Sequence, residues 1–134
     1  MISILGIDHL VIRAKNAAVM ISFYTDILGC TVERDMSTEF GLTQLRAGRS
    51  LIDIVSVDSV LGRKGGPAPK STGNNLDHFC LQIEKIDEAV LAEFLVAQNV
   101  TVSDFERRYG AAGFGRSVYI TDPEGNIVEL KVTN

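Results

Sequence analysis

Apolar and polar positions follow one scheme twice along the chain. Residues Gly6 to Arg13 are rich in Ile, Leu and Val and predict a strand. Asn16 is placed to cap a helix over Ala17 to Leu28, where Met20, Phe23, Tyr24, Ile27 and Leu28 recur at helical spacing. Gly29 follows, where a left-handed cap is wanted. Three further strands are predicted at Cys30 to Met36, Phe40 to Leu45 and Leu51 to Val57. After a Gly- and Pro-rich stretch the scheme restarts. It gives a strand at Leu76 to Ile83 and a helix over Glu88 to Gln98 capped by Asp87, then strands at Val100 to Phe105, Arg116 to Thr121 and Asn126 to Val132.

An internal repeat of this kind has to be recognised before any fold is assigned. It predicts an α+β architecture: two βαβββ modules with curved mixed sheets forming a metal-binding cleft. The 134 residues make one domain, with module 1 at 1–58, a linker at 59–75 and module 2 at 76–134. The Gly-rich run Tyr109 to Gly115 absorbs the extra length of the second module.

Composition narrows the field. A net charge of −4 gives no electrostatic drive toward nucleic acid. No apolar run reaches the roughly 18 residues of a membrane span, and the start lacks a basic leader pattern. Cys30 and Cys80 have no CxxC spacing, and Cys80 reads as a buried thiol in an apolar strand. A cytoplasmic protein is expected.

Candidate chemistry sits at matched points of the repeat. The only two histidines, His9 and His78, each follow an aspartate and each open an apolar strand, in IDHLVIRA and LDHFCLQI. Each module then adds a carboxylate late in its last strand, Asp53 in SLIDIVSV and Glu129 in NIVELKV. Strand side chains alternate faces, so His9 shares a face with Arg13, and each histidine can share a sheet face with its module's carboxylate. Asp8 and Asp77 are expected on the opposite face from their histidines. An acid flanked by Ile52 and Ile54 is costly to bury unpaired. Two imidazoles with two carboxylates form a mixed nitrogen–oxygen set, suited to Ni, Co, Zn, Mn or Fe.

These residues resemble the vicinal oxygen chelate superfamily, which includes glyoxalase I, epimerases, fosfomycin-resistance thiol transferases, bleomycin binders and extradiol dioxygenases. IDHLVIRA is similar to its first metal strand, FYTDILGC to its FY-x-x-x-LG helix end, LDHFCLQI to its third-ligand strand, and YITDPEGNIVEL to its closing DP-x-G-x-x-x-E motif. The resemblance covers nearly the whole chain. It implies a glyoxalase I-like member with metal ligands His9, Asp53, His78 and Glu129, although the family more often has Glu or Gln where Asp53 stands.

The implied reaction is that of a metal-dependent lyase or isomerase on a small carbonyl compound or its thiol adduct, through metal-stabilised enediolate chemistry. Glu129 or Asp53 is then the base. The implied substrate-binding residues are Arg13, similar to the glutathione-holding arginine of glyoxalase I, and Arg116. Against glutathione, Val57 stands where glyoxalase I has Asn, and Ala111 or Ala112 where it has a basic residue. A homodimer is implied. The alternatives are a thiol transferase, an extradiol-type dioxygenase and a metal-free drug-sequestering protein.

Overall fold

The computed structural model describes all residues 1–134. Its elements run β1 (His9–Ala14), α1 (Ala17–Ser22), β2 (Thr31–Met36), β3 (Leu42–Ala47), β4 (Ser50–Ser56), β5 (His78–Ile83), α2 (Glu88–Ala97), β6 (Glu106–Gly110), β7 (Gly113–Thr121) and β8 (Ile127–Val132). They form two units, Met1–Lys70 and Ser71–Asn134. Each is a βαβββ module with a mixed four-stranded sheet, ordered β1-β4-β3-β2 in the first and β5-β8-β7-β6 in the second.

In the first unit β1 runs parallel to β4, while β3 pairs antiparallel with β4 and β2. One sheet face carries Ile12, Leu45, Ile52 and Ile54, which are buried together with Met20, Phe23 and Tyr24 of the helical segment. Full burial of a side chain of this size stabilises by about 1.5–3 kcal/mol. Asn16 caps α1 by accepting from the Val19 amide. The predicted single helix instead changes after Ser22 to a π turn over Phe23–Ile27, with the Leu28 amide bonded to the Phe23 carbonyl. Gly29, at φ +76°, ends it as expected.

In the second unit the same logic buries Leu91, Leu95, Val118, Ile120, Val128 and Leu130. Asp87 caps α2 by accepting from the amides of Ala89 and Val90. The expected strand at Val100 to Phe105 is not formed; only Val102 makes a single bridge, to Ile120. The strand that pairs with β7 is Glu106–Gly110, and the Gly-rich run is a tight hairpin closing at Gly110 and Gly113. Residues ERRYG of β6 form the sheet edge and carry no inward apolar pattern, so the periodicity signal fell on the wrong segment.

The DP-x-G turn has a direct physical cause. Asp122 is buried, and its Oδ1 accepts from the amides of Glu124 (2.9 Å) and Asn126 (3.0 Å), while Oδ2 accepts from the Asn126 side chain (2.8 Å). That turn sets the start of β8, and hence the position of Glu129.

Candidate functional site

On the face opposite the helix, the first unit places His9, Asp53 and Gln44 on adjacent strands. Asp53 lies across from Val11 on β1 and from Gln44 on β3, so its side chain shares their face. It is 3% exposed. Its Oδ2 accepts from Gln44 Nε2 at 3.2 Å, whereas its Oδ1 is buried without any hydrogen-bond partner. Buried polar atoms are satisfied in the great majority of cases, and an orphaned one needs an explanation. A bare carboxylate oxygen is a fitting place for a cation, and the chemistry of Asp53 suits that role.

His9 Nδ1 bonds to Asp8 Oδ1 at 2.6 Å, and His78 Nδ1 to Asp77 Oδ2 at 2.7 Å. This corrects the expectation that both aspartates turn away. β1 and β5 begin at the histidines themselves, so alternation does not govern the residue before them. An acid holding one imidazole nitrogen fixes the ring and leaves Nε2 as the nitrogen that can ligate. The bond to Asp8, above all, raises the His9 pKa over its ordinary 6.5; the nearby Asp53 charge adds to this against the opposing effect of desolvation.

The second unit holds the matching pair at closer range. Glu129 is 6% exposed, with Oε1 3.4 Å from His78 Nε2 and Oε2 3.4 Å from Cys80 Sγ. Tyr119 lies opposite Glu129 on β7; desolvation first, then the Glu129 charge, raise the tyrosine's pKa. The Tyr119 ring meets His78 in a T-shaped contact at 5.2 Å, and the Arg108 guanidinium lies 4.2 Å over the Tyr119 ring. Arg108 is itself fixed by the Ser117 carbonyl and hydroxyl and by Glu106. Cys80 reaches solvent, yet partial desolvation of its sulfur and the adjacent Glu129 charge push its thiol up to about 12.

Beside His78 and Glu129 opens a cavity of about 510 Å³, lined also by Cys80, Gln82, Lys131 and the 110–112 hairpin. A second, of about 390 Å³, lies between His78, Tyr119 and Ser103. Volumes of this size suit small molecules. Sequence reasoning missed Gln44, Tyr119 and the enclosure of Lys131, and reached Arg108 only as one of three arginines that could meet a substrate. Their parity on β3, β6, β7 and β8 was the available signal, and it required knowing which face carried the acids.

The four expected ligands thus stand as two His–carboxylate pairs. No three His, Cys, Asp or Glu side chains are grouped as a metal set in this single chain. The two expected substrate arginines have other partners. Arg13 donates to the carbonyls of Gly62 (3.1 Å), Gly65 (3.1 Å), Gly66 and Pro67 (3.2 Å), pinning that loop. Arg116 forms a two-pronged pair with Glu88 of α2 (2.7 and 3.1 Å). It also alternates away from Ser117 and Tyr119, onto the sheet face opposite Glu129.

No helix is long and apolar enough to cross a membrane. In sequence the chain is 28% identical over 124 residues to the virulence protein STM3117 of Salmonella typhimurium, covering 92% of this chain and 81% of that protein. In structure it is similar to the integron cassette protein VCH_CASS1 from the mobile metagenome of V. cholerae, at a TM-score of 0.74 and 22% identity over 100% and 99% of the two chains. It is also similar to lactoylglutathione lyase from Agrobacterium tumefaciens, at a TM-score of 0.66 and 20% identity over 97% and 95%. Residues 6–130 match the family model for the glyoxalase/bleomycin resistance protein/dioxygenase superfamily, and the chain belongs to that family.

Proposed function

We propose that this protein is a divalent-metal-dependent lyase or isomerase of glyoxalase type, acting on a small carbonyl compound or its thiol adduct. The observation that carries the reading is Asp53 Oδ1, a buried carboxylate oxygen with no donor, on the same sheet face as a histidine whose Nδ1 is already held. His9, Asp53, His78 and Glu129 would hold the ion, which supplies Lewis-acid polarisation of a carbonyl oxygen when bound. Ni, Co, Zn, Mn and Fe all suit this donor set.

The chain's own groups supply the proton chemistry. Glu129 removes the proton from the carbon beside the carbonyl and returns it to the neighbouring carbon. Tyr119, opposite this carboxylate on the neighbouring strand and braced by Arg108, packs beside it and limits its movement. Burial of Glu129 excludes water from the transferred proton. Asp53 is the matching base in the first unit.

Each unit supplies only a pair of ligands, and we propose that a homodimer joins the first-unit pair of one copy to the second-unit pair of the other. The β1 region supports this: Ile2, Ile4, Leu5 and Ile7 are 78% or more exposed, an apolar strip that a partner would cover.

The test is activity toward the methylglyoxal–glutathione hemithioacetal, with wild type and Glu129→Gln assayed after metal loading. Turnover lost in the variant supports the reading. Turnover that survives it refutes the assigned base. Absence of any bound metal together with tight small-molecule binding would instead favour a sequestering protein.

A further inference from the structure

Lys131 is a buried cation without a counter-ion. It is 6% exposed, and its one hydrogen bond runs from Nζ to the Gly113 carbonyl. Lysine is almost never this buried unless paired, because an ammonium loses strong hydration. Glu129 is not its partner: the two Glu129 oxygens face His78 and Cys80. An ammonium has three donors, so two remain.

The chain has been cleared around this group. A Cβ on Gly110 would come within 2.7 Å of Lys131 Nζ. One on Gly115 would come within 3.0 Å of Cε and 3.3 Å of the Val132 carbonyl. Glycine at both positions lets the hairpin wrap the lysine while Lys131 still lines the cavity shared with His78 and Glu129. Glu129 and Lys131 stand two residues apart on β8, on one face, hence roughly 6–7 Å apart along the strand.

We propose that Lys131 seats an anionic group of the small-molecule ligand, a carboxylate or a phosphate-type oxyanion, whose reacting end lies at the His78–Glu129 pair. This names the substrate class of the site and rests on reading that cavity as the substrate site. A lysine that merely pins the hairpin needs neither to line a cavity nor to lack an anionic partner.

The test uses metal-free full-length protein. Succinate and inorganic phosphate are titrated separately, at ionic strength matched with KCl, while the Lys131 side-chain methylene resonance is followed by NMR. The expected result is a saturable shift with at least one anion, and affinity at least tenfold weaker in Lys131→Gln, which keeps a donor for Gly113 but no charge. Saturation with succinate alone identifies a carboxylate site, with phosphate alone an oxyanion of phosphorus, and with both a shared anion seat. No saturable shift with either anion, or equal binding by Lys131→Gln, overturns the proposal. Should the variant fail to fold, the wild-type titration decides alone. Since no metal is present, anion binding without metal binding would defeat only the catalytic reading, and metal binding without anion binding only this one.

Discussion

Gln44 and Asp53 lie directly opposite each other on β3 and β4, and the amide of Gln44 satisfies only one of the two carboxylate oxygens. On the proposed function, that half-satisfied acid is where a cation would sit. Asp53→Asn removes the buried charge while keeping the shape. The expected outcome is a metal-free variant at least as stable as wild type in thermal unfolding, and metal affinity reduced by tenfold or more. Gln44→Ala leaves both oxygens bare and costs about 1–3 kcal/mol, a loss that added metal offsets.

Asp8 and Asp77 set the two imidazoles. Replacing either by Asn is expected to lower metal affinity about 10–100-fold, the usual effect of losing an acid behind a ligating histidine. For His9 the folded-state pKa is raised, so the Asp8 contribution to stability is present below pH 6.5 and is lost as pH rises through the raised value. NMR titration of His9 in metal-free protein should show its pKa falling toward 6.5 in Asp8→Asn; an unchanged value would mean the bond does not form in solution.

Cys80 is exposed yet should be inert. With its pKa moved from 9.0 to about 12, its thiolate population at pH 8 falls about a thousandfold. Alkylation of metal-free protein should therefore be far slower than that of an exposed peptide cysteine. Glu129→Gln removes the adjacent negative charge and should speed labelling. Fast labelling of wild-type Cys80 would contradict the packing around Glu129.

Arg13 is assigned to structure. Arg13→Ala frees four carbonyls of the 62–67 loop and is expected to cost about 1–2 kcal/mol and to expose the loop to proteolysis. KM should be unchanged. A raised KM with unaltered unfolding would return Arg13 to the substrate. Gly65→Ala should mimic the loop defect, because a Cβ there would strike the Arg13 guanidinium.

Much of this was legible from the residues. Repeated periodicity located both modules, and two histidines at matched strand starts pointed to the two His–carboxylate pairs. What stayed hidden was of two kinds. Edge strand β6 carries charge on both faces, so no apolar alternation marks it, and Val100 to Phe105 imitated a strand in its place. Asp8 and Asp77 sit one residue outside their strands, where alternation loses its force and each acid reaches back to its own imidazole. Lys131 shares the Glu129 face by strand parity, but its enclosure depends on Gly110 and Gly113 of another hairpin, which no local pattern shows.

The central claim is a metal held by two histidines and two carboxylates, and elemental analysis of the purified native protein tests it most directly. The account predicts one divalent ion per chain in wild type and loss of that ion in His9→Ala, His78→Ala and Glu129→Ala variants that remain folded. Full metal content in folded His78→Ala or Glu129→Ala protein, or no binding by wild type at saturating metal, would contradict it.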